Sequence, residues 1–237
     1  MEDRGLARPL VAEGLGTAFL LTAVVGSGIM ASRLAGADVA MALLANAIAT
    51  GGALVALIVT FGPISGAHFN PLVTLSALWR GELRPGAAMG YIVAQCLGAV
   101  AGVWFAHLMF GLPILEASTH IRSSAGELAG EIAASFGLIG LILSGSRHAP
   151  QSLPYAIAAY ITGAYWFTSS TSFANPAVTL ARTLTDSFAG IRAMDAPGFI
   201  LAELVGGAAA ILLFGWLLSD LRHSVAEERL DCGETLR

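Results

Sequence analysis

Apolar residues collect in long runs along this chain, and polar residues are largely confined to the gaps between them. Six runs approach or exceed the roughly 20 residues that a helix needs to cross a bilayer: about 10–32, 39–61, 86–109, 127–145, 152–170 and 197–219. Two further apolar stretches, Asn70 to Trp79 and Asn175 to Leu184, lie after the second and fifth runs. As helices they would be roughly 15 Å long, half a bilayer. They are too short to span and too apolar to sit easily in water. Half-helices that re-enter the membrane satisfy both facts; surface amphipathic helices are the other reading.

The two short stretches begin alike, as Ser65-Gly66-Ala67-His68-Phe69-Asn70-Pro71-Leu72 and Ser172-Phe173-Ala174-Asn175-Pro176-Ala177-Val178. Asn is a favoured N-cap, and Pro at the first helical position loses no hydrogen bond. Other markers recur in the same order: Glu13 with Glu131, an offset of 118; Asn70 with Asn175, an offset of 105; Gln95 with Glu203, an offset of 108. The pattern predicts a duplicated unit of three spans and one half-helix. Three is odd, so the copies lie in opposite orientations. Interrupted segments at matching places in inverted repeats point to a site at the bilayer midplane. The expected fold is an all-α membrane protein with six transmembrane helices and two re-entrant half-helices. It forms a single domain over residues 1–237, with repeats of about 10–109 and 127–219 and short cytoplasmic tails, 1–9 and 220–237.

Composition agrees. The chain is 56% hydrophobic and only 12% charged, about half the usual charged share, with a mean hydropathy of +0.74. Net charge is −4, with no Lys and no basic cluster, which argues against a nucleic-acid partner. Cys96 and Cys232 lie in an apolar run and in the polar tail, so neither a disulfide nor a metal site is expected. The first run is longer than a signal-peptide core, ends in no convincing cleavage site and reads as a retained span. With both termini inside, eight arginines are cytoplasmic (Arg4, Arg8, Arg80, Arg84, Arg147, Arg222, Arg229, Arg237). Arg33, Arg122, Arg182 and Arg192 are left outside. This bias favours that orientation. The pairs Gly86/Gly90, Gly98/Gly102 and Gly126/Gly130 read as close-packing positions.

Asn70 and Asn175 have two readings, as simple caps or as caps that also aim an amide N–H into a pore. In the second, the positive ends of the half-helices face each other and repel cations. The matching pairs favour it. Glu13 and Glu131 are intramembrane carboxylates, read either as proton carriers or as acceptors for the N–H groups of a re-entrant loop; their symmetric placement favours the acceptor role. His68 has no second ligand at metal-binding spacing. No serine or cysteine sits with a base in a nucleophilic motif, so no enzyme activity and no cofactor are expected.

On these motifs the chain resembles the major intrinsic protein family, the aquaporins and glycerol channels, over nearly its whole length. The resemblance implies an aquaporin-like bundle with one pore per subunit, usually in a homotetramer. It implies pore motifs at Asn70, Pro71, Leu72, Asn175, Pro176 and Ala177. Carbonyls of Gly66, Ala67, His68, Ser172, Phe173 and Ala174 would accept hydrogen bonds along the pore. A four-residue selectivity filter would fall at Thr50, Gly163, Ser172 and Val178, by counting from the two Asn. Leu72 replaces the family's usual Ala, an apolar enlargement beside the pore, and Val178 replaces its usual Arg. Val is shorter, uncharged and unable to donate, so with small neighbours it predicts a wide, weakly polar filter. The expectation is a passive channel for small neutral solutes in a bacterial inner membrane. Candidates are glycerol, water and metalloid hydroxides such as arsenous acid, since small linings with Val resemble the arsenic-resistance branch. A general polyol or water channel is the alternative; a proton-coupled transporter using Glu13 or Glu131 is the rival of another class. Arg182 follows Val178 by one turn. It reads as an interfacial anchor snorkelling into headgroups, or as a restored positive charge near the mouth.

Overall fold

The computed structural model describes residues 5–219, so the tail 220–237, with Cys232 and three of the counted arginines, lies outside the described residues, as does Arg4. The elements are helical throughout: α1 (Ala7–Ala35), α2 (Val39–Ser65), α3 (Pro71–Trp79), α4 (Pro85–Phe110), α5 (Ala125–His148), α6 (Leu153–Phe167), α7 (Pro176–Ala181, continued by a 3₁₀ turn, Arg182–Leu184) and α8 (Ala196–Leu217). This is the aquaporin-like all-α arrangement, with α3 and α7 as the two half-helices. α1, α2, α4, α5 and α8 are each long and apolar enough to cross a bilayer. α6 is shorter than the run 152–170 suggested. It has 15 residues, about 22 Å, because Thr168 is extended and the chain turns off toward Asn175.

The duplication is visible in the packing. α1 lies against α4 and α2, and α5 lies against α8 and α6. At the closest approach a side chain has no room. A Cβ on Gly98 would strike the carbonyl of Gly14, and one on Gly206 would strike that of Ile132. These two glycines are themselves 108 residues apart, the Gln95–Glu203 offset. Gly102 meets Ala18 in the same way. Gly86 instead faces open space and Gly90 only the end of Leu10, so that predicted pair is not a backbone contact. Of the third pair, Gly130 backs on Ser170 of the second loop.

Each half-helix is held by the last span of both repeats. α3 packs on α4 and α8, α7 packs on α8 and α4, and α3 meets α7. Residues 111–124, without regular structure, are stitched to the segment after α7. Ser118 N donates to Thr183 O (3.0 Å), Arg192 N to His120 O (2.7 Å), and Thr119 N to Asp186 Oδ1 (2.7 Å). These bonds build a rim around the end of the molecule that holds Arg182.

Candidate functional site

The site starts from two short stretches of strained backbone. Ahead of Asn70, Ala67 (φ 50°) and Phe69 (φ 49°) are left-handed; ahead of Asn175, Ser172 (φ 52°) and Ala174 (φ 48°) repeat the pattern at the same spacing. Non-glycine residues pay for this conformation, so partners must hold them there. Asn70 Oδ1 caps α3 by accepting from Leu72 N (2.8 Å), and Asn175 Oδ1 caps α7 by accepting from Ala177 N (3.0 Å) and Val178 N (3.3 Å). The amide nitrogens cross between repeats. Asn70 Nδ2 donates to Ala174 O (2.7 Å) and Asn175 Nδ2 donates to Phe69 O (2.8 Å). Each NH₂ has a second hydrogen, and both Asn residues line the central cavity.

The N–H groups of the loops are collected by the two buried glutamates. Glu13 Oε1 accepts from Ser65 Oγ (2.6 Å) and His68 N (2.9 Å); its Oε2 accepts from Phe69 N (2.7 Å) and Gln95 Nε2 (2.7 Å). Glu131 accepts from Phe173 N (2.9 Å) and Ala174 N (2.7 Å). A carboxylate with both oxygens committed to backbone donors is a strut, and nothing in this geometry supports a proton carrier. His68 turns its ring to Thr74 Oγ1 (3.1 Å) and Tyr91. Gln95 Nε2 also reaches Thr74 Oγ1 (2.9 Å), while in the second repeat Thr179 Oγ1 donates to Glu203 Oε1 (2.6 Å). The repeats differ here. Glu203 stands beside Glu131 where an amide would match Gln95, so two carboxyl groups face each other in the second repeat.

A cavity of about 510 Å³ threads the bundle, from Arg80, Ser146 and Pro150 at one end to Arg182 at the other. Gly66, Ala67, His68, Asn70, Ser172, Phe173, Ala174, Asn175, Val178 and Thr50 all line it. Five predicted positions lie off the lining. Pro71, Pro176 and Ala177 lie behind the lining, as expected of helix-start residues. Ala174 O is occupied by the Asn70 amide, whereas no protein donor reaches the carbonyls of Gly66, Ala67, His68, Ser172 and Phe173 among the described residues. Leu72 does not flank the cavity. It is buried against α8, where a Cβ on Gly207 would come within 2.5 Å of its Cδ1. Gly163 is also off the lining, with Phe167 nearest. Counting from Asn175 sets a distance along the chain, but helix phase sets the face. On α6 the lining residues are Leu153, Pro154 and then, four apart, Ile157, Ile161 and Tyr165.

Tyr165 therefore enters the site, its hydroxyl 3.2 Å from Thr50 Oγ1. Arg182 enters as well. It is 3% exposed rather than in headgroups, because Nε donates to Ala189 O and the guanidinium carbon lies 3.3 Å from the centre of the Phe173 ring. Arg122 reaches the same ring at 5.2 Å and donates to Gly190 O (2.9 Å) and Ser170 O (3.2 Å). The wall is thus small at Thr50, Ser172 and Val178 but bulky and polar at Tyr165 and Arg182. In the rim, Asp195 accepts from Arg192 Nη2 (2.8 Å) and Arg122 N (2.9 Å), which holds its carboxyl below the ordinary range.

Some of what was missed had a signal. Threonine stands four residues after both Asn, and serine stands five before both, as Ser65 and Ser170. Ser65 Oγ accepts from Ala67 N (3.1 Å) and Ser170 Oγ from Ser172 N (3.3 Å). Tyr165 had no such marker.

Known proteins resemble the chain along this same architecture. The family model for Major intrinsic protein matches residues 1–168. Aquaglyceroporin AqpS of Rhizobium meliloti is 51% identical over 227 residues, 96% of this chain and 97% of that protein. Probable aquaporin AqpM of Archaeoglobus fulgidus is 30% identical over 187 residues, 71% and 74% of the two chains. Among solved structures, the X-ray structure of the aquaglyceroporin from Plasmodium falciparum has a TM-score of 0.69 at 18% identity, covering 91% of this chain and 98% of that one.

Proposed function

Because this chain belongs to the major intrinsic protein family, whose members are channels and not enzymes, we propose that it is a passive pore for glycerol, water and metalloid hydroxides such as arsenous acid. The observation that carries this reading is the meeting of two half-helix starts inside one lined cavity. Asn70 and Asn175 each donate once to the opposite loop and keep one N–H for a passing oxygen. The unpaired carbonyls of Gly66, Ala67, His68, Ser172 and Phe173 supply acceptors along the same path. Hydroxyl-bearing neutral solutes match alternating donors and acceptors. Ions lose more hydration than such a wall replaces, and cations also meet two positive helix ends.

Val178 in place of an arginine is what extends the reading from water to bulkier triols and metalloid hydroxides. A relative similar over nearly its full length bears the name aquaglyceroporin, which agrees in kind. Thr50, Ser172 and Val178, joined by Tyr165, form the proposed filter, and Glu13 and Glu131 hold the loops. The working unit is one domain over residues 1–237, with repeats of about 10–109 and 127–219, assembled as a homotetramer. It lies in a bacterial inner membrane with both termini cytoplasmic, as the arginine bias favours.

Stopped-flow light scattering on proteoliposomes tests the reading, with water, glycerol, urea and arsenous acid as solutes. Glycerol and arsenous acid permeabilities well above those of empty liposomes are expected, with equilibration and no accumulation. Permeabilities equal to the empty control would sink it.

A further inference from the structure

We infer that Arg182 is the charged selectivity residue of this channel, taking over from a neighbouring helical turn the charge that Val178 lacks. This rests on the passive-channel reading above. Four observations carry it. Arg182 lines the cavity at the same end as Ser172, Val178 and Tyr165. It is buried, so its charge acts through protein rather than through bulk water. Its orientation is fixed at one edge and one face: Nε donates to Ala189 O, and the guanidinium lies over the Phe173 ring. Finally, only one of its five N–H donors is used among the described residues.

The last point decides which way the group works. Among the described residues neither η nitrogen has a protein acceptor, yet neither is among the buried polar atoms that lack partners. Their remaining accessible surface opens onto the cavity that the residue lines. A guanidinium tied down at Nε and unpartnered at both η nitrogens presents up to four N–H groups to a solute oxygen. Arg122 lies 5.2 Å from the centre of the same Phe173 ring, so a second positive charge backs the first. Cations are therefore opposed at this mouth as well as at the midplane, while a neutral hydroxyl finds donors.

The alternative role for such a side chain is a strut for the chain segment after α7, since its Nε ties that segment through Ala189 O. The two roles separate in a single experiment. Wild type, Arg182→Ala, Arg182→Gln and Arg182→Lys are reconstituted, and each is measured for sodium and proton leak and for glycerol flux. Gln keeps an N–H for Ala189 O without the charge, so it reports even where the Ala variant fails to assemble. The expected result is a rise of about tenfold or more in sodium and proton leak for Ala and Gln, with glycerol flux retained, and a return toward wild-type leak for Lys. Glycerol-conducting Ala and Gln channels with wild-type leak would overturn the inference and leave Arg182 a strut. Equal leak in the Lys variant would overturn it too. A wild type that passes no more glycerol or water than empty liposomes removes the channel reading itself, and this inference with it.

Discussion

Replacing Val178 with arginine tests the filter most directly. Val178 is 5% exposed, lines the cavity and donates its N–H to Asn175 Oδ1, so its side chain leaves a helix start whose position is fixed. The longer side chain must enter the lumen, because the cavity is the free space beside it. It also places a further positive charge about one turn, or roughly 6 Å, from Arg182. At an effective dielectric constant near 20 their repulsion is about 3 kcal/mol. That is enough to keep the new guanidinium off the Phe173 seat and turned toward the pore. A rise of about 1.4 kcal/mol in a barrier lowers flux tenfold. Glycerol and arsenous acid flux should fall by at least about that much, and water flux by less, since water needs less width. Stopped-flow swelling at matched protein density measures all three. Val178→Leu adds bulk without charge and should give a smaller loss. Unchanged glycerol flux in Val178→Arg would show that this side chain does not border the narrow part of the path.

Three further outcomes follow from the packing. Glu203→Gln gives the second repeat the amide that in the first donates to the loop-holding carboxylate, as Gln95 Nε2 does to Glu13 (2.7 Å), so thermal stability in detergent should hold or rise; a hydrogen bond to a charged group contributes about 1.5–3 kcal/mol, and a marked fall in midpoint temperature would refute the equivalence. Gly207→Ala drives a Cβ into Leu72 and should cost about 1–3 kcal/mol. Adding Leu72→Ala should recover part of that, whereas strictly additive losses in thermal unfolding would show no contact. Asp195 has a folded pKa below its unfolded value of about 3.9. Its contribution is therefore present above that pH and lost as pH falls through the folded value. Protection of the Arg122 amide, which donates to Asp195, should drop only below about pH 4, and Asp195→Asn should flatten that drop; protection falling already at pH 6 would contradict the assignment.

The run lengths, the Asn-Pro helix starts and the three recurring markers were enough to predict a membrane protein with two inverted halves and two half-helices. Those features are local or depend only on chain order. Hydrophobic length decides what can span, a cap decides where a helix begins, and an odd number of spans decides orientation. The lining of the pore is a different kind of quantity. Gly163 lost its place to Tyr165 because the face a helix turns inward depends on how α6 packs, not on distance from Asn175. Leu72 filled a gap left by Gly207, 135 positions away, which no local pattern records. Arg182 became a cavity residue because Ala189 and Phe173 fold around it. Left in a lone helix, the same arginine would have gone to water, where a charge is cheapest; only the assembled loops offer a buried alternative.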